Sequence, residues 1–98
     1  MDNYVECLQK MKDFQEFTHS GQNMRGRRER GTLDLIYKYS YDYSIYSYRT
    51  IICIVNFDNN MYVINPYRYS TTTAKHKFYI RIAAQSWEIE GYENVLWL

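Results

Sequence analysis

The stretch Tyr69–Arg81, YSTTTAKHKFYIR, holds the side chains of this chain best suited to chemistry. A run of hydroxyl residues precedes a Lys-His-Lys cluster, and the aromatic and aliphatic residues that follow predict a helix starting near Thr72. The N-terminus of a helix presents free N–H groups and a partial positive charge, which together attract phosphate or carboxylate groups. The stretch therefore predicts an anion-binding site formed by Thr72, Thr73, Lys75, Lys77 and Arg81.

The same stretch also has a simpler interpretation. The hydroxyl of Ser70 or Thr71 can cap a helix, and lysines commonly coat the solvated face of one. In this interpretation the stretch starts a helix and binds nothing. Residues 66–85 carry four basic side chains and no acidic one, and this local charge favours the anion site.

Motifs for catalysis are scarce in the sequence. It has no Gly-rich phosphate loop, no Gly-x-Ser-x-Gly and no Cys/His spacing typical of a metal site. The two histidines, His19 and His76, lie in separate predicted elements. His76 is more typical of a half-buried histidine with satisfied hydrogen bonds than of a catalyst. We therefore expect a protein that is not an enzyme and that has no metal and no cofactor.

A second basic cluster lies in residues 19–31, HSGQNMRGRRERG, which hold three of the four glycines. Glycines and repelling like charges predict a flexible loop. Its arginines are either a solvated connector or a basic arm that orders on a partner's phosphates or carboxylates. Exposed tyrosines would extend such a surface, because Tyr and Arg dominate interface hot spots. The candidate partner-binding residues are Arg25, Arg27, Arg28, Arg30, Tyr46 and Tyr48.

Length and composition bound the class of protein. The 98 residues predict a single domain, 1–98, and twelve of them are tyrosines, too many for the core of so small a domain. The net charge of +1 is weaker than that of a dedicated DNA-binding domain. Cys7 and Cys53 form no Cys-x-x-Cys motif, and no apolar run approaches the length of a membrane span. With no basic start typical of a signal peptide, we expect a cytoplasmic protein without a membrane partner.

Periodicity predicts an α+β fold. Apolar residues at helical spacing over 3–18 predict an N-terminal helix with Asp2 as its N-cap, and a second helix is expected over about 72–84. Between the helices, the sequence predicts an antiparallel sheet of three to four strands. The C-terminal stretch 93–98, ENVLWL, is expected either to add an edge strand or to pack Trp97 onto the core.

The strands are predicted from alternation of apolar and polar residues. Residues 33–39 alternate as one strand, and residues 45–56 form a longer one with an apolar centre typical of a buried strand. Turn residues at 58–60 predict a hairpin over 51–65. Pro66 then ends its second strand, because proline lacks the N–H that continues a ladder.

Part of the sequence resembles a family of small uncharacterised proteins common in bacteriophages and mobile elements. That family has a Tyr-Ser-Tyr segment, a hairpin, and Tyr-Ser-x-Thr-Thr-Ser-Lys-His-Gln at the start of a helix. The resemblance covers about residues 46–81, with Ala74 where the family has Ser and Lys77 where it has Gln. The matching Thr-Thr and Lys-His pairs are Thr72, Thr73, Lys75 and His76. The resemblance implies a phage or mobile-element origin, and neither an activity nor a fold.

These observations lead to three hypotheses of function. The first is a small phage-type accessory protein that binds and inhibits a host defence or nucleic-acid-handling protein, as anti-CRISPR inhibitors do. The second is direct binding of nucleic acid or a signalling nucleotide at the start of the second helix. The third is a structural protein that forms homo-oligomers. A pull-down from bacterial lysate, with and without nuclease, discriminates between the first two.

Overall fold

The computed structural model describes residues 1–21 and 23–98. Two helices and two sheets confirm the predicted α+β fold, with one helix at the N-terminus and the other after the sheets. In chain order the elements are α1 (Tyr4–Lys12), β1 (Phe17–Thr18), β2 (Met24–Arg27), β3 (Gly31–Asp34), β4 (Lys38–Tyr41), β5 (Tyr43–Ser47), β6 (Thr50–Asn56), β7 (Met61–Ile64), α2 (Thr71–Ile89) and β8 (Glu93–Val95).

The main sheet has six strands in the order β1-β2-β5-β6-β7-β8, rather than the three to four predicted. All neighbouring pairs are antiparallel except β7 and β8, which run parallel with α2 as their connection. Strand β8 therefore adds the edge strand expected from the C-terminal stretch. Strands β3 and β4 form a separate two-stranded sheet.

The hairpin predicted over 51–65 is confirmed as β6 and β7, with the turn at 57–60. The prediction of one strand over 45–56 is wrong, because the chain reverses at Tyr48, whose φ of 56° is left-handed. Strands β5 and β6 then pair across this turn, and their register shifts at Ile45/Tyr46. The shift lets Ile52 and Cys53 both reach the same core.

The strand predicted over 33–39 is instead a hairpin, since β3 ends at Asp34 and β4 starts at Lys38. The flexible loop predicted over 19–31 is also corrected, because β2 lies within it and pairs with β1 and β5. Gly26 accounts for the close packing of this strand against its neighbours. A Cβ at this position would collide with the Phe17 ring and the Tyr43 hydroxyl, so only glycine lets the strands approach. Gln22, also in the predicted loop, lies outside the described residues.

Both helices differ from prediction at their ends. Asn3, rather than Asp2, caps α1, and its side chain and that of Glu6 bond each other's backbone N–H. The helix ends at Lys12 instead of residue 18, because Phe14 has a φ of 54° and turns the chain toward β1. Helix α2 is longer than predicted and continues to Ile89.

The main sheet buries apolar side chains on both faces. Both helices pack on one face, where Trp87 of α2 is fully buried and donates its indole N–H to the carbonyl of Met11 at 3.1 Å. On the other face the β3–β4 hairpin covers Ile54 and Val63 and forms a second apolar cluster with them. Trp97 packs at the margin of this second cluster. No helix in the described part of the chain is long and apolar enough to span a membrane.

Candidate functional site: a basic groove beside the second helix

A groove of about 510 Å³ lies between α2 and the segment that connects β7 to it. Its lining combines three basic side chains with hydroxyl groups and an aromatic ring. The lining residues are Pro66, Arg68, Tyr69, Ser70, Thr71, Ala74, Lys77 and Arg81.

Asn65 fixes the wall of the groove that precedes α2. Its side chain is 2% exposed and bonds three backbone or side-chain groups. The amide nitrogen donates to the carbonyl of Ile51 at 3.2 Å and to the Tyr69 hydroxyl at 3.1 Å. The amide oxygen accepts the N–H of Tyr67 at 2.9 Å. This one buried side chain therefore holds residues 67–69 in place.

Helix α2 supplies the other wall, and Ser70 caps its N-terminus. The Ser70 hydroxyl accepts the N–H of Thr73 at 3.1 Å, which decides between the two predicted caps. The first N–H groups of a helix have no partner within it, so the hydroxyl of Thr71 and these groups form a polar end to the groove.

The groove carries positive charge that no acidic side chain in its lining balances. Lys77 is 5% exposed, and its Nζ donates to the carbonyl of Tyr67 and lies 5.7 Å from the centre of the Tyr69 ring. Burial and then the nearby Arg81 lower the pKa of Lys77. Arg68 and Arg81 are exposed, and none of the three cations joins an ion pair within residues 1–21 and 23–98.

The structure brings together only part of the predicted anion site. Lys77 and Arg81 line the groove, whereas Lys75 lies outside it, with Nζ 4.4 Å from the centre of the Tyr4 ring. Thr73 is buried and Thr72 does not line the groove. Arg68 and Tyr69 were missed as site residues, although the acid-free stretch 66–85 already contained both.

A chain of buried hydrogen bonds runs behind the groove. The Ser47 hydroxyl lies 2.9 Å from the Thr73 hydroxyl and 2.7 Å from Nδ1 of His76, whose Nε2 is 3.4 Å from the Tyr4 hydroxyl. The Thr73 hydroxyl also accepts from Ser70 at 3.2 Å. Burial, and then the charges of His19 and Lys75, lower the pKa of His76 to about 4.

Ser47 and His76 are within hydrogen-bonding distance, as nucleophile and base are in hydrolases. Here both side chains are buried, 1% and 0% exposed, and the second ring nitrogen faces the tyrosine hydroxyl instead of a carboxylate. We interpret the chain of bonds as structural. It joins the two halves of the sequence resemblance, because Ser47 belongs to the Tyr-Ser-Tyr segment and His76 to the Lys-His pair.

The predicted partner-binding arginines have different surroundings, although Arg28 and Arg30 line a common cavity. Arg25 is exposed on the sheet face opposite the helices, 5.0 Å from the centre of the Tyr46 ring. Arg28 lies 5.2 Å from the centre of the Phe57 ring, and Arg30 lies 3.6 Å from Asp42. Tyr48 is 54% exposed, at the turn between β5 and β6.

Arg27 has a structural role that the sequence did not reveal. Its guanidinium donates to the carbonyls of Phe17 and Gly26 at 3.0 and 2.9 Å, and to the Thr18 hydroxyl at 3.3 Å. These bonds fasten the short edge strand β1 to β2. The idea of a flexible arm of four equivalent arginines is therefore corrected, because Arg27 is bonded within the fold.

We expect Arg27→Gln to lower the free energy of unfolding by about 1.5–3 kcal/mol, the typical contribution of hydrogen bonds to a charged group. Arg25→Gln is the matched control and should cost no more than about 0.5 kcal/mol, because Arg25 is exposed. Urea denaturation of both variants measures the difference. Equal stabilities would show that the three bonds of Arg27 contribute nothing net.

A family model matches residues 8–80 of the chain, which include both walls of the groove up to Ile80. The chain belongs to DUF8033, a family of unknown function. Membership in DUF8033 confirms the coarser part of the resemblance, to a family without an assigned activity. The match covers Lys77 and the hydrogen-bond chain from Ser47 to His76. No curated protein and no solved structure matches the chain.

Proposed function

We propose that this member of DUF8033 is a non-enzymatic binding protein that holds an anionic group of its partner in the basic groove. The observation that carries the proposal is the set of three cations, Arg68, Lys77 and Arg81, gathered in one concavity without an acid. Guanidinium groups bind phosphate and carboxylate through paired hydrogen bonds, and partial burial strengthens such bonds because water screens them less.

Two features of the groove favour binding over catalysis. Its charged side chains are all cations, so no carboxylate or imidazole lines it to transfer a proton. The histidine nearest to it in the chain, His76, is fully buried and bonded on both ring nitrogens.

For the biological setting, we propose a phage or mobile-element accessory protein that acts in the cytoplasm of a bacterial host. There it would bind and inhibit a host defence or nucleic-acid-handling protein through the anionic group. This setting is supported by the resemblance of residues 46–81. Arg25 and Tyr46, on the open face of the sheet, are candidates for a second contact with that partner.

Thermal melts in sodium phosphate, sulfate and chloride at matched ionic strength test the anion site. We expect phosphate and sulfate to raise Tm above the chloride value, because a ligand that binds only the folded state stabilises it by mass action. The variant Arg68→Gln/Arg81→Gln should lose this increase and keep its Tm in chloride, since both side chains are exposed.

The matched control is Arg49→Gln/Lys38→Gln, which removes the same charge from exposed positions outside the groove. This control should retain the full response to phosphate. If phosphate and sulfate act no differently from chloride on the wild-type protein, the groove is not an anion site and the proposal fails.

A further inference from the structure

One tyrosine that lines the groove, Tyr69, can contact more than an anion, and a second exposed tyrosine, Tyr67, lies beside the lining residues in the chain. Tyr67 and Tyr69 are 61% and 54% exposed, and Tyr69 lines the groove beside Lys77. The hydroxyl of Tyr69 is held by Asn65, and its ring lies 5.7 Å from the Lys77 ammonium, so the ring position is fixed before any ligand arrives. A fixed exposed ring loses little conformational entropy when a flat partner stacks on it.

Two of the three cations of the groove lie about one turn apart on α2. Lys77 and Arg81 are four residues apart, about 6 Å along the helix axis, and Thr71 lies about 15 Å from Arg81 along it. Arg68 faces them from the other wall. A groove of this length suits a chain with repeated negative charges better than one isolated anion.

We infer that the groove binds a short single-stranded segment of nucleic acid. The inference rests on the proposed anion site and names its ligand. Phosphates contact Arg68, Lys77 and Arg81, and a base stacks on the Tyr69 ring, with Tyr67 available to the next base. A positively charged groove lined with aromatic rings is the usual way in which proteins bind single strands without reading their sequence.

An acidic peptide would use the cations equally well and would leave the tyrosines unused, because carboxylates do not stack on aromatic rings. A duplex fits less well, since the net charge of +1 is weaker than that of a dedicated DNA-binding domain. The observations therefore favour a single strand over both.

The experiment measures binding of fluorescein-labelled oligo(dT) and oligo(U), each about six nucleotides long, to the full chain by fluorescence anisotropy. An acidic peptide, oligo-glutamate of the same charge, is the competing probe. We expect Tyr69→Leu to weaken oligonucleotide binding about 5- to 100-fold, the range typical of losing one stacked base. Tyr69→Phe should bind more tightly than Tyr69→Leu, because the ring remains and only the hydrogen bond from Asn65 is lost.

The arginine variant Arg68→Gln/Arg81→Gln should also reduce the slope of log Kd against log salt by about 1.4, or 0.7 for each lost phosphate contact. Tyr37→Leu, at an exposed tyrosine outside the groove, and Arg49→Gln/Lys38→Gln are the controls and should bind normally.

Three outcomes are distinguishable. Loss of oligonucleotide binding in Tyr69→Leu, with the phosphate-induced rise in Tm retained, supports the inference. If phosphate raises Tm but oligonucleotides bind no tighter than oligo-glutamate, or if Tyr69→Leu binds as wild type, the inference is overturned and the anion site stands. If no anion raises Tm, the proposed function itself fails, and the inference fails with it.

Discussion

Replacing Trp87 with alanine is expected to lower the free energy of unfolding by about 3–5 kcal/mol, the range for removing a large aromatic side chain from a core. The indole is fully buried between the helices and the sheet. It stacks on Phe14 with ring centres 5.3 Å apart and meets Tyr62 edge-on at 5.4 Å. Since small domains are stable by only about 5–15 kcal/mol, the variant should be partly unfolded at 37 °C.

Trp87→Phe separates packing from hydrogen bonding at this position. It keeps most of the aromatic contact and removes one of the donors to the Met11 carbonyl, which still accepts the N–H of Phe14 at 3.1 Å, so we expect a smaller loss, about 1–3 kcal/mol for the hydrogen bond and the smaller ring together. Urea denaturation followed by circular dichroism measures both variants. A Trp87→Ala protein as stable as wild type would show that α2 does not depend on this contact.

The second large effect concerns pH. We expect wild-type stability to fall by about 2 kcal/mol between pH 7 and pH 5, because a folded-state pKa of about 4 for His76 lies below the ordinary value of 6.5. The unfolded chain binds the proton more tightly than the folded one. The contribution of His76 is therefore fully present above pH 6.5 and is lost as the pH falls toward 4.

His76→Gln should be less stable than wild type at pH 7 and should show a much flatter dependence on pH over the same interval. The comparison is His19→Gln, which removes the other histidine of the chain and one smaller cause of the low pKa of His76, so most of the response, which burial causes, should remain. The titratable groups near the His76 ring include His19, Lys75, Tyr4 and Tyr48. An unchanged pH slope in His76→Gln would contradict the assignment.

The helices show which part of the fold can be predicted from sequence. Spacing predicted that α2 exists and starts at its hydroxyl residues, but not which face it buries. Phe78 is 59% exposed and Lys77 is 5% exposed, the reverse of what the two side-chain types alone indicate. The buried face is set by partners far away in the chain, because Ser47 bonds Thr73 and His76 and so turns these polar residues inward.

The strand predictions failed for a second reason. Two turns lack the residues that usually mark a turn in a sequence. The reversals at Tyr48 and after Asp34 contain no glycine, proline or asparagine, so alternation alone joined the flanking strands. In contrast, Asp58-Asn59-Asn60 marked the turn between β6 and β7, and that hairpin was predicted correctly. The glycines near Arg27 suggested a loop, although Gly26 serves close packing between strands.

Only part of the candidate site could be predicted, because the sequence does not show which way each side chain of α2 points. The sequence located a run of basic residues without acids and assigned Lys77 and Arg81 to it. It could not show that Lys75 points to the other side of α2, toward Tyr4, or that Asn65 holds Tyr69 against the groove. These facts depend on the rotation of the helix about its axis, which the sheet decides.

The contacts of α1 have a consequence for synthesis on the ribosome. Tyr4 meets His76 across 72 residues of sequence, and Met11 receives the Trp87 indole across 76. Helix α1 therefore has no helix to pack on until α2 has emerged from the ribosome. Its apolar stripe must stay exposed or be covered by a chaperone during that time, since a short helix is marginal alone in water. Slower translation would lengthen this exposure. We therefore expect the rate of synthesis to affect the yield of soluble protein more strongly than the stability of the folded protein affects that yield.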